Sequence, residues 1–517
     1  MSFREEFLFW RLAHLLISEN GYRLLQISKS QKEIWLENTN SKEPQVVRIL
    51  LHPLDWSTWM QRDIGLTLVN SERVRKQLRK RSLHVFNIYV TPYPPVDDYE
   101  FRIHKPAVHP KKKAKVTSII CDAQNGVQNL ANLFSTPLSL HVKDEYEESE
   151  VEWEKNSTLL AIKEKVKSEK AIFNNAKPVF TYLFMVIQIL VFILMEFAGG
   201  STQSAVLIEF GAKVNALILQ GDWWRLFTPI FIHIGILHLL MNTLALYYLG
   251  MTVERIYGNF RFLFIYVAAG FFGALASLLF SPSISAGASG AIFGCFGALL
   301  YFGTIYPTLF KRTMGFNIFI VIAINLIFGF SVSGIDNAGH IGGLIGGYLA
   351  AAIVHFPKSK KVLYQGTSLI LSLMLIGIAF HYSQNNPGKL IDEQSALILG
   401  QTYIQNDEFD EAYTILNKYN EYNSKTVNTL FLLSFSEIKT GRVEEAKNHL
   451  HEVIQLEPNF HEAYYNLSLL YYSEEDFLKA KEYASKAVEK QPSNNDYQSL
   501  LEEIKEHDSP EPSALGA

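Results

Sequence analysis

The sequence predicts a multi-pass α-helical membrane protein with an N-terminal α/β soluble domain and a C-terminal α-solenoid. Three observations carry this. Seven apolar runs of about 20 residues lie in the middle of the chain, each long enough to cross a bilayer core of ~30 Å as a helix. Both ends of the 517-residue chain are charged; the chain-wide averages of 48% hydrophobic and 19% charged residues hide three unlike regions. A 34-residue period runs through residues 394–495. The net charge of −4 is too small to argue for nucleic-acid binding.

Residues 1–175 read as the soluble α/β domain. Met1 to Glu19 is charged at Arg4, Glu5, Glu6 and Arg11 and lacks an uninterrupted apolar core, so it reads as an amphipathic helix and not a cleavable leader. Tyr22 to Ile27, Glu33 to Glu37 and Gln45 to Leu51 are short runs rich in branched and aromatic residues, separated by turn formers, and read as strands. Trp56 to Arg81 contains a charged helical stretch, and Leu83 to Val90 is a further strand ended by Pro92 and Pro94. No nucleotide loop or zinc-ligand spacing is visible. The basic stretches Arg73 to Arg81 and Lys111-Lys112-Lys113 suit either acidic lipid headgroups or, as the commoner outcome, a solvated face. The acidic stretch Asp144 to Glu154 reads as a flexible linker to the membrane. Regulation or ligand sensing is the role expected of this domain.

The apolar runs cover about 178–198, 230–250, 262–281, 288–306, 314–333, 338–356 and 363–383. The fourth and sixth are rich in glycine, which inside a membrane points to close helix packing. Lys163, Lys165, Lys167, Lys170 and Lys177 precede the first run. Lys311 and Arg312 follow the fourth, and Lys358, Lys360 and Lys361 follow the sixth; residues 281–287 and 331–337 hold no Lys or Arg. The positive-inside rule then puts the N-terminal domain in the cytoplasm, and an odd number of spans puts the C-terminal repeats outside the cell. Cys121 and Cys295 fall in different regions, so no disulfide is expected between them.

Residues 391–505 form the periodic region, joined to the membrane part through a seventh helix and linker over 358–390. Ala412, Ala446 and Ala480 recur at the 34-residue interval, as do Pro458 and Pro492, and Tyr403 and Tyr471 lie two intervals apart. This pattern resembles the tetratricopeptide repeat, a pair of antiparallel helices with a small residue at their crossing. Three units are about the minimum for a self-supporting stack. Its concave face is expected to bind a peptide or protein partner, the alternative being a solvated helical spacer. The tail, 506–517, is expected to be disordered.

The chemistry falls within the apolar runs. Ser289 stands in Gly287-Ala288-Ser289-Gly290 and His340 in Gly339-His340-Ile341-Gly342-Gly343, each at the mouth of a run and both toward the outer side. Ionisable residues in a membrane are costly and mark a functional site by default. A serine with a histidine supplies a nucleophile and its base. His238 and Asn242, four residues apart, share one helix face.

Together with Trp224-Arg225, His233, Glu254 and Gly258, these motifs resemble the rhomboid family of intramembrane serine proteases. The match covers about 178–356 within a six-span core of 176–357. The extra helix, the soluble N-terminal domain and the outer repeats look like the multidomain rhomboids of Gram-positive bacteria. The resemblance implies that Ser289 is the nucleophile and His340 the general base and then acid. His238, Asn242 and the backbone N–H of Ser289 would stabilise the oxyanion. Phe293, one turn after Ser289 where many members carry tyrosine, would stack on His340. Gly343 and Gly347 would let the two helices approach. Arg225 and Glu254 would be structural, and Asp336, four residues before His340, need not orient the imidazole. The substrates implied are transmembrane helices that unwind near the outer leaflet, with a small residue before the cleaved bond. No metal or organic cofactor is needed. The competing reading is a membrane scaffold that recruits membrane proteins for another protease or assembly factor.

Overall fold

The computed structural model describes residues 2–38, 45–78, 80–110, 113–122, 130, 134, 140, 142–332 and 334–507. Lys111 and Lys112 of the basic stretch, residue 79, and the tail from 508 onward lie outside them. The chain divides into two compact units, Met1–Asn174 with Thr308–Thr313, and Asn175–Pro307 with Met314–Ala517.

In the first unit, helix α1 (Phe3–Ser18) is followed by strands β1 (Arg23–Ile27), β2 (Glu33–Glu37) and β3 (Val46–Leu51), helix α2 (Ser57–Gln77) and strand β4 (Leu83–Val90). Strands β5 (Ala107–Val108) and β6 (Ala114–Cys121) complete a six-stranded sheet of order β1-β2-β3-β4-β6-β5. The three strands β3, β4 and β6 run parallel, and the other pairs run antiparallel. The parallel strands are covered on both faces. Val47, Ile49 and Leu51 join the core built with α1, while Leu50 and Tyr89 pack with Met60 and Ile64 of α2.

One expectation needs correction here. Asp144 to Glu154 is not a flexible linker throughout: helix α3 (Glu148–Ile172) begins within it. Val151, Glu154 and Thr158 form a narrow buried stripe on α3, at helical spacing, facing α1. The Thr158 hydroxyl donates to the carbonyl of Trp10 at 3.2 Å, and Glu154 pairs with Arg11 at 3.4 Å. Strand β6 follows the lysine-rich stretch and lies between β4 and the short edge strand β5.

In the second unit, all seven apolar runs contain helix. Among the described residues, five helices are long and apolar enough to span a membrane: Phe180–Phe197, Gly235–Tyr257, Asn259–Phe280, Asn337–Val354 and Val362–Asn385. The fourth and fifth runs hold shorter helices, Ser289–Ile305 and Asn317–Ser331. The second run starts as helix at Gly235 rather than at 230, because Thr228–Phe231 is a 3-10 turn containing Pro229. Its far end continues through a π-helical turn, Leu246–Gly250, to Tyr257. There Glu254, fully buried, accepts from the backbone N–H groups of Val179, Phe180 and Thr181 at 2.8–2.9 Å. A carboxylate so placed satisfies the open N-terminal donors of the first spanning helix, a structural role.

Beyond the last spanning helix come three helix pairs, Glu393–Gln405 with Phe409–Tyr422, Val427–Lys439 with Val443–Leu456, and His461–Ser473 with Phe477–Lys490, then a closing helix, Asn495–His507. Ala412, Ala446 and Ala480 are fully buried at the crossings. The first pair is seated on the loop between the first two spanning helices. Val214 and Leu217 of that loop share a core with Ile391, Leu399, Ile415 and Tyr419. The Asn215 amide donates both to Leu390 O at 2.6 Å and to Leu278 O at 3.0 Å.

Candidate active site

The site forms where the helices Asn259–Phe280, Ser289–Ile305 and Asn337–Val354 pack against one another. Glycine makes the approach possible. A Cβ at Gly343 would overlap the carbonyl of Gly290, and one at Gly347 would overlap the carbonyl of Gly294. Backbone therefore meets backbone between the helix of Ser289 and the helix of His340. At the mouth of this contact, Ser289 Oγ lies 2.8 Å from Nε2 of His340. The spacing lets the hydroxyl donate to a neutral imidazole, as a nucleophile–base pair requires. His340 is 9% exposed and Ser289 is half-buried, so the pair is enclosed yet reachable.

Phe293 stacks on the imidazole of His340, with ring centroids 4.3 Å apart and planes within 8°. A ring face thus holds the histidine where no carboxylate does. The other ring nitrogen, Nδ1, is buried and has no hydrogen-bond partner among the described residues. Ser289 is the first residue of its helix, so its own N–H has no carbonyl one turn earlier in the helix to donate to. A free N–H at the positive end of a helix can stabilise negative charge that develops beside it.

His238 closes one side. Gly287 adopts φ +135°, and a Cβ there would meet the His238 ring at 2.7 Å, so only glycine fits between this ring and the loop leading to Ser289. Asn242 is buried one turn deeper on the same helix. Its amide donates to the carbonyl of His238 at 3.0 Å, so in this state it faces its own helix. His233 is fully buried and meets the His238 ring edge-on at 5.4 Å. Arg225 is buried in the loop between the first two spanning helices, bound to Asp222 and to the carbonyls of Ile208 and Ala212, and lies over the Trp224 ring. It is remote in role from the pair and holds the loop together.

One contact was not foreseen. Asp336 caps the helix of His340, accepting from Gly339 N–H at 2.8 Å, and its second oxygen accepts from the Ser285 hydroxyl at 2.8 Å. The Asp-x-x spacing ahead of a helix is a cap signal that the sequence carries; nothing local announces Ser285 as the partner. Lys213 is bridged to Ser285 through the backbone, and its ammonium donates to Ser281 O at 2.6 Å. Burial brings the Lys213 ammonium down to about 8, against the opposing pull of Asp336 and Asp392. Cys121 and Cys295 are both buried and free.

A family model described as Rhomboid domain matches residues 220–357. The Rhomboid protease GluP of Bacillus subtilis (strain 168) is 41% identical over 473 residues, which is 90% of this chain and 92% of that protein. Rhomboid protease AarA of Providencia stuartii is 32% identical over 42% of this chain and 82% of its own length. RHOMBOID-like protein 1 of Arabidopsis thaliana is 40% identical over 28% of this chain and 38% of its own. In the helical repeats, a Tetratricopeptide repeat model matches residues 437–504, and a model described as Anaphase-promoting complex, cyclosome, subunit 3 matches residues 388–453.

Proposed function

This chain belongs to the rhomboid family of serine proteases, and on that premise we propose that Ser289 and His340 are its catalytic dyad and that it cuts transmembrane segments near the outer leaflet. The observation that carries this reading is the 2.8 Å contact between Ser289 Oγ and His340 Nε2 at the mouth of two helices joined through glycine. Ser289 Oγ attacks the scissile carbonyl while Nε2 of His340 takes its proton. The negative charge on the carbonyl oxygen is met by the Ser289 N–H, His238 and Asn242, the last after its amide turns from the His238 carbonyl. His340 then gives the proton to the leaving nitrogen. Water, activated by the same imidazole, releases the acyl group and regenerates the serine.

The substrate helix must unwind locally, because an intact helix keeps its carbonyls in internal hydrogen bonds. Glycine or proline in the substrate lowers that cost. Gly287, Ala288 and Gly290 around the nucleophile leave little room, which favours a small residue before the cleaved bond. The helix Ser289–Ile305 has 17 residues, so it is roughly 26 Å long at 1.5 Å per residue and shorter than the ~30 Å apolar layer. That length supports a nucleophile set below the membrane surface. The positive charges flanking the spans support an outer position for it, with the N-terminal domain in the cytoplasm and the repeats outside.

Full-length protein in liposomes, with its Ser289→Ala and His340→Ala variants, tests the dyad against a helix-forming transmembrane substrate. Wild type should cleave and neither variant should; equal cleavage by all three would remove the dyad, and none by any would favour the scaffold reading. Topology is tested by labelling exposed sites on intact cells with a membrane-impermeant thiol reagent. Asn459→Cys should react and Arg62→Cys should not, and the reverse pattern would put the site at the inner leaflet.

A further inference from the structure

We infer that Asp336 is the positioning residue of the dyad, tying the helix that carries His340 to the loop that delivers Ser289; this rests on the dyad reading above. Ser289 and His340 come from different helices, and the glycines between those helices give closeness without interlocking side chains. Smooth faces can slide or turn against each other, whereas the reaction needs its atoms held to well under 1 Å, since a misplacement of that size costs up to ~10²-fold in rate. A lock is needed near the mouth, where the dyad sits.

Asp336 supplies it with two oxygens used in two directions. Oδ1 accepts from the N–H of Gly339, the residue before His340, and the Asp336 carbonyl accepts from the N–H of His340 itself at 3.1 Å. Oδ2 accepts from the hydroxyl of Ser285, four residues before Ser289. Ser285 is held from its other side. Its N–H and C=O pair with those of Lys213 at 3.0 and 2.8 Å, and two residues on, Gly287 N–H donates to Pro229 O at 2.9 Å. The loop is thus fixed to the outer loop of the domain, and through Asp336 the histidine helix is fixed to the same frame. Asp336 does not act as the third member of a triad, because neither of its oxygens bonds the imidazole and Nδ1 of His340 stays without a partner among the described residues.

The test compares Asp336→Ala, Asp336→Asn and Ser285→Ala in the full-length protein, in liposomes with a transmembrane substrate. An asparagine can keep both ties, accepting from Gly339 through Oδ1 and donating to Ser285 through Nδ2; alanine keeps neither. Asp336→Ala should lower kcat roughly 10- to 100-fold with KM changed by less than about twofold, and slow Ser289 labelling by a fluorophosphonate in proportion. Asp336→Asn should recover to within about threefold of wild type, and Ser285→Ala should fall between them. If the asparagine variant is as slow as the alanine variant, the charge matters and the tie does not, which overturns the inference. Wild-type kcat in Asp336→Ala also overturns it. Should Asp336→Ala unfold, Ser285→Ala decides, and an undiminished kcat there overturns it. The dyad reading fails by a different sign, namely a wild type no faster than Ser289→Ala.

Discussion

Two buried polar centres in this chain are built in opposite ways. In the N-terminal unit, Arg48 lies between the sheet and α2 with every nitrogen engaged. Its Nε donates to Glu33 at 2.7 Å, and its two terminal nitrogens reach Asp63, Thr67 and Asn87 at 2.6–3.0 Å. Asp63 also accepts from the Tyr89 hydroxyl at 2.7 Å, and Glu33 from the Trp35 indole at 2.8 Å. In the membrane unit, Ser289 and His340 share one hydrogen bond, and the second imidazole nitrogen has no partner among the described residues. A network whose groups are all satisfied holds a structure, and it has nothing left for a ligand. A pair with spare capacity that is partly exposed has bonding in reserve for a ligand.

The contrast can be broken by substitution. The largest effect belongs to Ser289→Ala: cleavage should drop by roughly 10⁴-fold or more, with the thermal unfolding midpoint unchanged, because one hydrogen bond between half-satisfied groups holds little of the fold. A midpoint that fell markedly would make the serine a structural residue. Arg48→Met should do the reverse. It strands Asp63 and Glu33 without their cation and should cost about 3–5 kcal/mol of stability in the N-terminal unit, read by limited proteolysis and calorimetry. Fluorophosphonate labelling of Ser289 should be unaffected. Loss of labelling together with that stability would show that the two centres are coupled. Asn242→Ala is the smallest of the three. It should reduce kcat by about 10²–10³, or ~3–4 kcal/mol, while leaving labelling measurable. A variant as active as wild type would remove Asn242 from the oxyanion site and leave its observed bond to the His238 carbonyl as its whole role.

Much of the site is legible in the sequence because its determinants are local or follow helix spacing. Ser289 and Phe293 are one turn apart, so a ring beside the serine is readable from spacing, while its stacking on His340 is what the family resemblance implies. Gly343 and Gly347 are legible for the same reason, as a face four residues in period. Other features depend on partners far along the chain. The Asp336–Ser285 tie joins residues 51 apart, and neither side chain names the other. The orientation of the Asn242 amide depends on a competition between its own helix and the site. Glycine spacing shows that two helices can touch, while register comes from the loops. In the N-terminal unit, the charge of 144–154 concealed a stripe only one residue wide per turn, and the lysines before β6 concealed a strand that pairs in parallel with β4 and antiparallel with β5.

The seating of the repeats on the loop between the first two spanning helices would have a consequence for specificity if the dyad reading holds. Asn215 and the core around Leu217 hold the first repeat against the frame that carries Ser289, so the stack is not a module on a loose tether. A membrane protein whose extramembrane part rested on the repeats would meet the dyad as an intramolecular encounter, at an effective concentration in the ~mM range. Under that condition the dyad could hold an unwound helix weakly and release products quickly, and discrimination between substrates would be made tens of residues away from the bond that is cut.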